Sequence, residues 1–314
     1  MGGYIFKRLL SAVPVVVGIT VIVFFIMAMI PGDPATAILG SYATPENVDR
    51  LNAHLGLDKP AWQRYFIWAG NLVQGDFGRS FALNRPVIDE VAERFSATLL
   101  LAGTAFILCA LAGILAGVIS AARQYSVSDR VITFAVIVGI SLPSFFLGMV
   151  MILIFSVNLG WLPASGMTSI YDGGGFFDIL RHLVMPAVAL SVVATGVIAR
   201  LTRSAMLEVL RQDFIRTARA KGVRERRVVG HALRVAMVSV LPVLGLQAGF
   251  VLSGAVYIEM VFQWPGVGRM LVDAILRRDI LLVQGGVVFV AICYVIFNII
   301  VDVLQSVLDP RVRT

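Results

Sequence analysis

Charge is what this sequence lacks most. Only 14% of its 314 residues are Asp, Glu, Lys or Arg, while 58% are hydrophobic and the mean hydropathy is +0.88. A globular domain is about half apolar and a quarter charged, so a water-soluble fold of this length would have too few charges to cover its surface. Disordered and fibrous chains are excluded by the same composition. Lysine occurs only at Lys7, Lys59 and Lys221, none of them after a glycine. No Gly-x-x-x-x-Gly-Lys phosphate loop exists, and the chain cannot hydrolyse ATP by that route. The histidines, His54, His182 and His231, are scattered without metal-ligand spacing. Cys109 and Cys293 lie inside apolar runs and form no disulfide or zinc pattern. Gly266-Val267-Gly268 begins like a dinucleotide fingerprint, but Leu271 stands at the third glycine position and no strand–helix unit surrounds it. With no catalytic cluster in view, an enzyme is the weakest reading. What remains is a polytopic membrane protein.

Six apolar runs supply the spans: Leu9–Ile30, Ala97–Ala121, Val131–Val157, Leu183–Thr202, Val235–Val261 and Leu281–Val307. Each is long enough to cross about 30 Å of hydrocarbon as a helix, which pairs every backbone donor within the segment. None shows the shorter, alternating pattern of barrel strands. The first run is about twice the length of a signal-peptide core and lacks a small-residue cleavage site before Pro31, so it reads as a retained span. The expected fold class is an all-α membrane protein with six transmembrane helices. Its parts are 1–30 with the first span, 31–96 as an extracytoplasmic loop region, and 97–308 as the transmembrane core with a cytoplasmic segment at 203–234.

Net charge is +7, which in a soluble chain would point to nucleic acid. Here the basic residues are retained on one side of the membrane, and no nucleic-acid partner is expected. Placing the N-terminus inside puts sixteen Lys and Arg on the inner face, ten of them between Arg200 and Arg234, against four in the short outer connections. The first outer loop carries six more, but loops of that length translocate largely regardless of charge. Both termini are therefore expected in the cytoplasm.

Two connections exceed what a bundle needs. The outer one, Pro31–Ser96, has helix-like stretches at Pro45–Gly56 and Ala61–Gln74, with Trp62, Tyr65, Phe66 and Trp68 placed for an interface. The inner one, Arg203–Arg234, is dense in charge, helix-favouring and free of proline. A solvated face or contact with lipid headgroups would explain its charge. Neither explains the small residues Ala205, Ala218, Ala220 and Gly222. Ion-coupled transporters place ionisable groups at mid-membrane, and here only Glu259 and Asp302 lie near span ends, as functional or snorkelling contacts. A self-powered transporter therefore loses ground to a chain whose energy source sits in a partner.

Asp213-Phe214-Ile215-Arg216-Thr217-Ala218-Arg219-Ala220-Lys221-Gly222-Val223 resembles the EAA loop of binding-protein-dependent ABC importer permeases. Its wording is similar in particular to the dipeptide/oligopeptide/nickel permease family. Further segments agree: Ile5–Leu10, Met29–Pro34, Leu55–Pro60, Gly75–Ser80, Leu162–Gly166 and Val261–Gly268 with Arg278-Asp279. Arg216 stands where the general EAA pattern has Glu, and Thr217 where it has the first Ala. Positions 232–235, where Ile-x-Leu-Pro would close the pattern, read Ala-Leu-Arg-Val.

The resemblance implies a type I ABC importer permease fold in the bacterial inner membrane. The chain would be a pore-forming subunit for di- or oligopeptides or related small solutes. Partners would be a second homologous permease, two ABC ATPases and an extracytoplasmic solute-binding protein, with ATP and Mg²⁺ on the ATPases and no cofactor on this chain. Asp213, Arg216, Thr217, Ala218, Arg219, Ala220, Lys221 and Gly222 would form the ATPase-coupling element. Gating or pathway candidates are Ser141, Pro143 and Pro186, where helix breaks would permit rigid-body motion, and Glu259 near the outer end of span five; each proline is equally explained as a packing kink. Arg79, Trp264 and Arg269 lie in the segments expected to face the binding protein, unless those segments only cap the bundle. The rival class is a stand-alone channel or facilitator whose basic loop faces lipid.

Overall fold

The computed structural model describes residues 2–29, 36, 39, 43–55, 58–169 and 174–308. Ile30–Pro34, Gly56 and Leu57 from the matching segments, and the C-terminal Arg311 and Arg313, lie outside these residues. The described part is helical, and its β-structure is limited to one isolated bridge between Arg79 and Pro86. The helices are α1 (Gly2–Met29), α2 (Pro45–Leu55), α3 (Ala61–Val73), α4 (Val87–Ala122), α5 (Val127–Ser141), α6 (Ser144–Met151), α7 (Phe176–Leu210), α8 (Asp213–Ala220), α9 (Glu225–Val261), α10 (Val267–Leu276) and α11 (Ile280–Leu308). Five of them, α1, α4, α7, α9 and α11, are each long and apolar enough to span.

The third apolar run is not one straight helix. Pro143 offers no N–H and disfavours helical geometry at the residue before it. Leu142 is accordingly extended (φ −91°, ψ 128°), and α5 meets α6 at a bend of 103°. A π-helical stretch, Ile152–Asn158, continues α6. Counting the bent pair as one span gives six. Pro186, in contrast, sits inside an unbroken α7, so of the two proline-marked candidates only the Ser141–Ser144 segment breaks a helix.

The chain forms two units, Met1–Ser96 with Arg269–Ile300, and Ala97–Gly268 with Val301–Thr314. In the first, Phe24, Trp68 and Val288 are buried together, with Tyr65, Leu72 and Ile292 packed around them. The segment between α3 and α4 is fastened to α11 and the turn before it by polar contacts. Ser80 Oγ donates to Asp279 Oδ2 at 2.5 Å and Ala82 N to the same oxygen at 3.1 Å, while Leu282 N donates to Oδ1 at 3.2 Å. Glu90, 3% exposed, lies between Arg85 and Arg94, each at 3.0 Å.

In the second unit α7 is the central helix. Two-thirds of its apolar window is buried (67%), against 28% for α4 and for α9. Its Met185, Leu190 and Ile198 pack with Leu101, Ala105 and Cys109 of α4 and with Val251 and Ile258 of α9. Lipid gives helices little hydrophobic reason to associate, so close approach through small residues takes over. Gly113 and Gly117 show it: a methyl on either would sit within 2.8 Å of Ile198 or Thr202 side-chain atoms.

Candidate functional site

The charged stretch read as one long inner connection is mostly helix continuing from the spans. Because α7 runs to Leu210 and α9 begins at Glu225, only short turns flank the separate helix α8. That helix is seated by one residue. Ile215 is fully buried among Met206, Val209, Val228, Ala232 and Ala236. Asp213 in the first turn complements the helix dipole.

The end of α8 is a Schellman motif. Val223 N donates to Ala218 O at 3.1 Å and Gly222 N to Arg219 O at 2.9 Å, with Gly222 at φ +75°. Ala218 and Val223 pack on the Ile215 cluster, which supplies the apolar contact this cap favours. A glycine fits here because the left-handed region costs other residues about 1–2 kcal/mol. Arg219 does not stand free as a pure partner contact. Its Nε and Nη2 donate to Glu225 at 3.1 and 2.7 Å, clasping the end of α8 to the first turn of α9. The hydrogen bond to that carboxylate raises the Arg219 guanidinium above its already high value, so the clasp keeps its cation.

The face turned away from the seat exposes Asp213, Arg216, Thr217, Ala220 and Lys221. Phe214, 43% exposed, lies among them. Counting charges and small residues passed over this aromatic; a lone Phe in a polar run was the signal.

A second cluster escaped the sequence. Arg203 donates from Nε to Asp129 Oδ1 and from Nη2 to Asp129 Oδ2, each at 2.9 Å, and Ser120 Oγ donates to the same carboxylate. Tyr125 N adds a bond of 2.9 Å. The end of α4, the start of α5 and the last third of α7 are thereby joined around one carboxylate, 4% exposed as a residue.

The remaining candidates are placed as follows. Ser141 bonds its own helix, donating to Ile137 O at 2.8 Å, and Pro143 is the residue before α6. Glu259 is fully buried rather than snorkelling, and accepts from Thr98 Oγ1 at 2.6 Å. Trp264 is likewise fully buried, its indole N–H donating to Ala97 O at 2.9 Å, so its ring offers no surface to an external protein. Arg79 is exposed and donates to Asn84 O at 3.1 Å; Arg269 is part-exposed beside Asp273 at 3.9 Å.

Helices of this length and apolarity define a multi-pass membrane protein. Residues 113–314 match the family described as "Binding-protein-dependent transport system inner membrane component", and residues 1–102 match its N-terminal family. The chain belongs to this family of ABC importer permeases: it is a multi-pass inner-membrane transport subunit, not an enzyme. It is 42% identical over 333 residues to the di/tripeptide transport system permease protein DppB of Pseudomonas aeruginosa (strain UCBPP-PA14), covering 100% of this chain and 99% of that protein. It is 40% identical over 314 residues to the glutathione transport system permease protein GsiC of Escherichia coli (strain K12), with the same coverage. Among solved structures, an inward-facing form of the MetNI methionine ABC transporter matches at a TM-score of 0.53 and 18% identity, over 71% of this chain and 96% of that one. That likeness concerns the fold.

Proposed function

We propose that this chain is the peptide-translocating permease of an ATP-driven importer. It works beside a second homologous permease, two ABC ATPases that bind ATP and Mg²⁺, and an external solute-binding protein. The observation that carries the reading is α8: a short helix anchored by Ile215, closed by Gly222, and presenting Phe214, Arg216, Thr217 and Lys221 outward. Charge-assisted contacts from such a face suit a groove on a partner subunit. Both termini and 203–234 are cytoplasmic on this reading, with 31–96 and 262–280 outside, where Arg79 and Arg269 remain candidates for the binding protein. Peptide as the cargo class is supported by relatives such as the DppB peptide permeases, matched over the full chain; choosing among di-, tripeptide and glutathione is left to experiment.

Reconstitution tests this directly. Proteoliposomes holding both permeases and both ATPases should take up a dipeptide only with ATP and the binding protein present. Uptake by this chain without ATPases would establish the facilitator instead.

A further inference from the structure

The central helix α7, the most enclosed of the spans, opens toward its C-terminal end. Arg200, Ser204, Glu208 and Arg211 fall at offsets of 4, 8 and 11 residues, a stripe under about 90° wide at 3.6 residues per turn. They line one side of a groove of about 850 Å³, with Thr133 and Ile137 of α5 opposite. The side chains of Arg200, Glu208 and Arg211 are exposed, and among the described residues they make no hydrogen bond or ion pair. Arg203, at the back, is the exception, held by Asp129 at 2.9 Å.

Arg200 lies at the inner end of the span and Glu208 and Arg211 on its extension beyond the apolar stretch, so all three face a groove open to water. Three such groups on one stripe, without a protein partner among the described residues, are free to bind a ligand that brings the opposite charges. Guanidiniums alone would suit any anion, including a phospholipid phosphate. Glu208 decides between ligands. Its carboxylate would repel a phosphate seated between Arg200 and Arg211, but it complements an ammonium. The wall thus offers both signs over twelve residues, about 17 Å of helix at 1.5 Å per residue. Val136, Ile137 and Leu207 add an apolar side. A short molecule with a carboxylate at one end and an ammonium at the other satisfies all of this.

We propose that the groove is a transit site for zwitterionic short peptides: Arg200 and then Arg211 engage the terminal carboxylate in turn, and Glu208 the terminal ammonium, as the solute leaves past the α8 end of the chain. The assignment rests on the peptide-permease reading above.

The test uses the full complex with its binding protein in proteoliposomes and labelled dialanine as the solute. Arg200→Gln and Glu208→Gln should each lower uptake about tenfold, the scale of one lost charged hydrogen bond. Membrane level, co-purification of the second permease and binding-protein-stimulated ATP hydrolysis should stay near wild type. Glu208→Asp should restore part of the loss. Wild-type uptake left unchanged by both variants would overturn the transit site while the permease reading stands. Loss of the second permease from the purified complex would make the groove a subunit contact and overturn it as well. A dependence of wild-type uptake on phosphatidylglycerol, absent from the variants, would assign the groove to a lipid headgroup. Failure of the wild-type complex to take up dialanine would overturn the peptide reading and the transit site with it.

Discussion

Glu259 and Thr98, 161 residues apart, share a buried bond of 2.6 Å, and the Thr98 hydroxyl in turn accepts from Val267 N at 2.9 Å. The turn after α9 is thus fixed to α4 through a carboxylate that is fully buried. The same carboxylate explains Gly266, where an added methyl would meet Glu259 Oε1 at 2.1 Å.

Thr98→Val removes the hydroxyl that joins Glu259 to Val267 and leaves buried groups without a partner. A loss of about 1–3 kcal/mol is expected, read as a lower Tm of the purified complex. Gly266→Ala should be worse, since the added methyl would drive the buried Glu259 carboxylate off Thr98. A Tm for Thr98→Val equal to wild type would show that the bond contributes nothing.

At α8, the seat and the outward face should respond differently. Ile215→Asp places a carboxylate in an apolar pocket and should reduce membrane levels. Arg216→Glu with Phe214→Ala leaves the seat intact; these variants should insert normally, lose ATPase co-purification and abolish binding-protein-stimulated hydrolysis. Normal stimulation in that pair would remove α8 from the coupling path.

Gly222→Val forces a branched residue into φ +75°, a strain of about 1–2 kcal/mol that opens the cap of α8. Uptake and stimulated ATP hydrolysis should fall together at normal membrane levels. A merely lipid-facing loop would tolerate the change.

Arg203→Met removes the counter-ion of the Asp129 carboxylate, which keeps its bonds from Ser120 and Tyr125 N, and losing a partner of such a part-buried group costs about 1–3 kcal/mol. The double variant with Asp129→Asn should recover part of it. Thermal unfolding of the four proteins would give the coupling; additive losses would mean that the two groups act independently.

Topology has its own check. In a background with Cys109 and Cys293 replaced, a cysteine at 212 should react with an impermeant maleimide only from the inside, and one at 79 only from the outside. Labelling of 212 from outside would invert the chain.

The spans were legible because about 20 apolar residues in a row admit few other structures. The break at Pro143 was legible too, since proline's missing N–H is a local property. α8 could be bounded by Gly222, again through local backbone chemistry. Pairings over long separations could not be read. Arg203 and Asp129 lie 74 residues apart, and in a count of charges Arg203 looks like any other basic residue near a span end. Trp264 misled for the opposite reason: an aromatic in an outer turn suggests an interface, and only the packed structure shows its indole bonded to Ala97. Helix ends were also misjudged, because charged turns prolong α7 and α9 well beyond their apolar stretches.

The bend between α5 and α6 has a consequence for biogenesis. Proline at 143 denies the Gly139 carbonyl its usual amide partner four residues on, and Leu142 leaves the helix altogether. Irregular backbone at membrane depth is tolerated only inside protein or beside water. Gly139 is buried against Val192 of this chain while Ser141 and Pro143 are exposed, so on the importer reading a neighbouring subunit would cover the break. Orphan copies should be short-lived, and their half-life in a pulse–chase should lengthen when the second permease is made alongside.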